Sequence, residues 1–198
     1  ILPGIKYKAF AFEPGDVKIT GGLFLNAMEK DVQYLLAVEP NRLLHRFHAN
    51  AGLPAKGDVY GGWESEGLSG HTLGHYLSAI SMAYAGTGNI EFKNRAGYII
   101  DELERCQQAR KTGYVGAIPN EDSIFIKVSR GEIRSGGFDL NGGWSPWYTV
   151  HKVMAGLVDA YLYANNDKAL KIVCGMADWT GTIVNNLSEE QRLKMLNC

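Results

Sequence analysis

The chain has 198 residues, 45% of them hydrophobic, and its 20 basic and 21 acidic residues leave a formal charge of −1. That length and apolar content suit one domain with a buried core and exclude a disordered chain. Charges of both signs are spread along the sequence, so no broad field attracts nucleic acid or an anionic membrane, and the expected partner is uncharged.

No apolar run approaches the ~20 residues needed to span a bilayer. Ile1 to Phe12 carries Lys6 and Lys8 but neither a long apolar stretch nor a small-residue cleavage site, so it does not read as a signal peptide. A leader already removed would fit an extracellular or periplasmic location, and a cytoplasmic one stays open beside it. Cys106, Cys174 and Cys198 are too few and too far apart for a disulfide framework or a CxxC-type zinc site, and read as buried or unpaired thiols.

Helices dominate the pattern. From Leu23 to Val38, Phe24, Ala27, Met28, Val32, Leu35 and Leu36 keep a helical period that Pro40 stops. A second helix begins near Asn41, with Leu43, Leu44 and Phe47 on its apolar face, and ends at Gly52 and Pro54. A third is expected from about Ser69, as N-cap, to Ala85, and a fourth from about Ile90 to Lys111. Gly86-Thr87-Gly88-Asn89 between them is short enough to force an antiparallel hairpin.

From Thr112 to Trp147 the periodicity fails and glycine is frequent, while Tyr114, Phe125, Phe138, Trp144 and Trp147 argue against disorder. This stretch reads as a structured loop at a binding face. Helical spacing returns from about Tyr148 to Ala164 and from about Lys168 to Val184, with Asp167 as the second N-cap, and Ser188 with Gln191 signals a capping box for a last helix. Ser78 to Asn89 resembles Leu157 to Lys168 about 80 residues later, each a helix, a tight turn and another helix. Stacked hairpins of this kind predict an all-α solenoid or closed α/α toroid with the site in loops on one face.

Three constellations carry polar chemistry. His71, His75 and His151 follow glycine-rich segments at helix starts, where each alone could be a structural histidine and the set favours a ligand role. His71 and His75 stand one turn apart as in an HExxH zinc helix, but Thr72-Leu73-Gly74 lacks its glutamate and no third ligand is evident. Trp63, Trp144, Trp147 and Tyr148 offer flat rings that suit either a core or the C–H face of a sugar. Glu64, Glu66, Glu121, Asp122 and Asp139 lie in loops, where a glycosidase pair or solvated charges and helix caps both fit.

Four ordered segments then point to a family. Tyr60-Gly61-Gly62-Trp63-Glu64, Gly70-His71-Thr72-Leu73-Gly74-His75-Tyr76-Leu77-Ser78-Ala79, Phe138-Asp139-Leu140-Asn141-Gly142-Gly143-Trp144 and Trp147 to Leu157 resemble the N-terminal half of the β-L-arabinofuranosidase group, glycoside hydrolase families 127 and 146. The resemblance covers nearly the whole chain. It implies part of an (α/α)6 toroid and retaining hydrolysis of terminal β-L-arabinofuranosides by a zinc-bound cysteine nucleophile, with zinc held by cysteines and a glutamate.

The same resemblance puts those ligands in sequence beyond Cys198. Residues 1–198 are therefore expected to be the N-terminal portion of one catalytic domain, with no catalytic residue and no metal ligand, to bind no zinc alone and to be inactive alone. They would keep a sugar-binding wall of Trp63, Glu64, His71, His75, Trp144, Trp147, Tyr148 and His151, with a neutral carbohydrate and the remainder of the domain as partners. Two other readings share the helical pattern. One is an α-solenoid module gripping a peptide, and the other is a different toroid enzyme, such as an unsaturated-uronide hydrolase or an epimerase.

Overall fold

The computed structural model describes residues 8–197, so Cys198 lies outside the described residues. Helices α1 (Gly22–Ala37) and α2 (Pro40–Asn50) are followed by a short turn of helix, α3 (Trp63–Glu66), and by the long pair α4 (His71–Thr87) and α5 (Ile90–Arg110). Then come α6 (Glu121–Ser129), a small antiparallel sheet of β1 (Ser135–Gly136), β2 (Asp139–Leu140) and β3 (Gly143–Trp144), and α7 (Pro146–Ala164), α8 (Asp167–Val184) and α9 (Glu189–Met195).

The all-α expectation holds. In one row α4 lies between α1 and α7, in a second row α5 lies between α2 and α8, and the hairpins α4–α5 and α7–α8 join the rows. The core runs between them, with Leu44, Phe47, Leu73, Ile80, Phe92, Ile99, Leu103, Leu157 and Met176 fully buried. At ~25 cal/mol per Å² of apolar surface removed from water, this burial is the main stabilising term. Helix α1 has no buried residue and rests half-buried Val32, Leu35 and Leu36 on the core. Its carboxyl end is held by polar contacts, since Tyr76 donates to Leu35 O (2.8 Å) and Arg95 to Val38 O (2.9 Å).

The sequence repeat is a repeat of turn chemistry. Helix α4 ends on Gly88 and α7 on Asn165, both left-handed (φ 71° and 53°), the conformation that ends a helix without a Cβ penalty for glycine and is tolerated by asparagine. An asparagine then caps the next helix in each copy. Asn89 Oδ1 accepts from Glu91 N (3.0 Å), and Asn166 Oδ1 from Lys168 N and Ala169 N (3.1 and 3.2 Å).

Several expectations need correction. The N-cap of α8 is Asn166 rather than Asp167, and that of α4 is Gly70 rather than Ser69, whose hydroxyl donates to Glu64 O instead. The stretch 112–147 is not all loop, because Ile124, Phe125 and Val128 bury one face of α6, and Asn141-Gly142 closes a two-residue hairpin between β2 and β3. Both turn residues have positive φ (52° and 90°), as this hairpin type requires. The capping box at Ser188 and Gln191 is present as expected. Cys106 is buried and Cys174 exposed, both as free thiols.

Candidate functional site

Helices α4 and α7 meet backbone to backbone. A β-carbon at Gly74 would lie 2.2 Å from Lys152 O, and one at Gly156 would lie 2.5 Å from Gly74 O, so only glycine permits this approach. The crossing brings the amino ends of the two helices side by side. Across it the Nε2 of His75 and the hydroxyl of Tyr148 form a hydrogen bond of 3.1 Å.

Around this contact the rings form a continuous patch. His71 lies with its centroid 6.1 Å from that of His75 and 6.0 Å from Tyr148, and Trp63 stands 6.2 Å from His71 and 6.1 Å, edge-on, from Trp144. Trp63 is 60% and Tyr148 41% exposed, so both rings leave apolar surface that a ligand could cover. Each is delivered by local structure: Gly62 (φ 62°) starts α3 before Trp63, and the Asn141-Gly142 hairpin ends on Trp144. Lys152 stands over the Tyr148 ring at 5.2 Å, a cation–π contact that orients the phenol.

Glu64 points inward. Its Oε2 accepts from Gly70 N (2.9 Å) and its Oε1 from Thr72 N (3.1 Å), so a carboxylate from α3 satisfies free amides at the start of α4. Oε1 is also 3.1 Å from Nδ1 of His71. Burial works against the charge, but the hydrogen bonds from His71, Thr72 and Gly70 outweigh it and lower the Glu64 pKa. His71 is likewise opposed by burial yet raised by its bonds to Glu64 and Leu68 O. His75 moves the other way, lowered by burial and by Lys152, His71 and His151. The two histidines one turn apart are thus shifted in opposite directions.

Of the eight residues singled out in the sequence, Trp63, His71, His75, Trp144 and Tyr148 come together, and Glu64 stands behind His71. His151 is exposed on α7, close enough to His75 to depress its pKa, and lines a groove of about 440 Å³ between α7 and α8. Trp147 goes elsewhere. Its ring packs edge-on against Phe125 (5.0 Å) and near Trp179 (6.1 Å), within an aromatic cluster in which Tyr114 stacks on Trp179. It is half-buried, supporting the fold through these rings while its open side lines the same groove as His151. A cavity of about 550 Å³ beside Arg110, Tyr114, Phe125 and Trp179 shares no residue with the patch.

A model of the β-L-arabinofuranosidase, GH127 catalytic domain matches residues 16–198. The chain belongs to this family. Its membership makes it part of a glycosidase family and agrees with the helical hairpins of the fold. No curated protein matches the chain. Among the described residues no three His, Cys, Asp or Glu side chains gather as they would around a metal ion. Nδ1 of His71 is taken by Leu68 O and lies against Glu64, and Cys106 is packed in the core with its thiol pushed up to about 12 by burial, so neither is presented as a metal ligand.

Two contributions were not legible in the sequence. Lys152 lies within the Trp147 to Leu157 segment, where nothing in the pattern assigns it a role, yet its carbonyl meets α4 and its ammonium stands over Tyr148. The capping of α4 by Glu64 joins two elements through a tertiary contact, for which no spacing rule exists.

Proposed function

We propose that Trp63, Trp144, His71, His75, Tyr148 and His151 form one wall of the sugar pocket of a hydrolase acting on terminal β-L-arabinofuranosides. The observation that carries this reading is the patch itself: exposed flat rings interleaved with imidazoles at the amino ends of two helices locked together by Gly74 and Gly156. Rings cover the C–H face of a sugar, and imidazoles exchange hydrogen bonds with its hydroxyls. At the start of α4 the amides of Gly70 and Thr72 are already occupied by the Glu64 carboxylate, which disfavours a second negative charge there and is in keeping with a neutral ligand.

The rest of the catalytic domain is the proposed partner, closing the rows of helices into an (α/α)6 toroid and facing this wall from the other side. The retaining chemistry with a zinc-held cysteine nucleophile is assigned to none of the described residues, and the chain alone is accordingly proposed to be inactive. The test is calorimetric titration with an aryl β-L-arabinofuranoside and with the matching α-L-arabinofuranoside, followed by a hydrolysis assay in added zinc. Weak binding of the β-anomer that is lost in His75→Ala and Trp63→Ala, without turnover, is the expected result. Absence of binding, or binding indifferent to both substitutions, would remove the wall reading, and robust hydrolysis would remove the claim of inactivity.

A further inference from the structure

Glu64 and His71 are both largely buried, at 7% and 8% exposure, and it is the engagement of both Glu64 oxygens that leaves that carboxylate nothing to offer a ligand. What it does touch is one nitrogen of His71. That same Nδ1 lies 2.5 Å from Leu68 O, and a carbonyl oxygen has no proton to give. Nδ1 must therefore carry the hydrogen whether the ring is neutral or charged, donating it to Leu68 O with the Glu64 carboxylate oxygen Oε1 standing 3.1 Å away. The other nitrogen, Nε2, has only a long contact to Thr72 Oγ1, at 3.4 Å, and the His71 ring adjoins those of Trp63, His75 and Tyr148.

We infer that Glu64 is a positioning residue: together with Leu68 O it clamps Nδ1–H of His71 and so fixes the tautomer in which Nε2 is the nitrogen left for a ligand. The identity of that ligand rests on the sugar-wall reading, and the clamp adds a reason for it. Nε2 of His71 then accepts when the ring is neutral and donates when it is charged, and Nε2 of His75 is already bonded to Tyr148 OH. A sugar hydroxyl is both donor and acceptor and can pair with the His71 nitrogen in either state, whereas a carboxylate can serve only the charged one. The other titratable or charged groups around the pair are Tyr148, His151 and Lys152 on α7.

The experiment is long-range proton–nitrogen correlation of the histidine rings in the nitrogen-15-labelled chain across pH, with the His71 signal assigned by its loss in His71→Gln. Neutral His71 is expected in the Nδ1–H form. In Glu64→Gln its titration midpoint is expected to fall by about one unit or more, the size of a lost carboxylate neighbour, and the neutral ring to become a mixture of tautomers. Circular dichroism confirms that the variant is folded. If it is not, the wild-type tautomer decides alone. An Nε2–H tautomer in the wild type, or a folded Glu64→Gln with unchanged midpoint and tautomer, overturns the inference. No sugar enters this measurement, so a chain that shows the clamp yet binds no arabinofuranoside refutes only the sugar-wall reading.

Discussion

Gly74 and Gly156 face each other across the crossing of α4 and α7, and neither position has room for a methyl group. Gly74→Ala is expected to destabilise the chain by about 1–3 kcal/mol, because overpacking against backbone outweighs the roughly 1 kcal/mol that alanine gains in helix propensity. Denaturant midpoints measure it. The same variant should weaken the bond between His75 and Tyr148, since the helices must separate to accept it.

Trp63 and Trp147 should part ways on substitution. Trp147→Ala empties a site packed by Phe125 and Trp179 and is expected to cost about 3 kcal/mol or more in thermal or denaturant unfolding. Trp63→Ala removes an exposed ring and should change stability by less than about 1 kcal/mol while abolishing sugar binding. Equal effects of the two substitutions on stability would contradict this division.

Glu102 is predicted to make the fold sensitive to acid. Burial opposes its charge, but hydrogen bonds from Lys56, Arg105 and His48 hold its pKa down to about 2. A carboxylate depressed in the folded state stabilises above its unfolded value, 4.5, and loses that contribution as pH falls toward 2. Glu102→Gln should therefore cost up to about 3 kcal/mol at neutral pH and progressively less in acid, read from unfolding midpoints between pH 7 and 2.

Glu121 has the opposite sign. Burial raises its pKa to about 7, against the pull of Arg110, Tyr114, Asn50 and the Ile118 amide. Oε1 is 3.0 Å from Arg110 Nη1 but lacks the alignment of a hydrogen bond, which leaves the charge poorly compensated. Its contribution is full below pH 4.5 and is lost as pH rises through about 7. Glu121→Gln should flatten the stability profile between those limits, and an unchanged slope would show that another group titrates there.

The helical hairpins were legible because their apolar residues recur every three or four positions and their turns use Gly88, Asn165 and two capping asparagines. The segment from 112 to 147 was read as loop because nine residues of α6 are too few for periodicity to stand out, although Asn141-Gly142 is a strong hairpin signal that could have been used. In the patch, Trp147 and Tyr148 were grouped as sequence neighbours. A step of one residue turns a helix by about 100°, which turns the Trp147 ring toward Phe125 and Trp179 and the Tyr148 ring toward His75. The partners of Glu64 are backbone amides, which every residue possesses, so no sequence pattern announces that contact.

The bond between His75 and Tyr148 joins residues 73 positions apart. At ~5–20 residues per second, a ribosome needs roughly 4–15 s to travel that distance. Throughout that interval α4 and α5 can fold as a hairpin, while the face carrying Gly74 has nothing to rest on. The patch is thus a late product of synthesis. It comes into being only when α7 docks, and until then the face of α4 that α7 covers stays open.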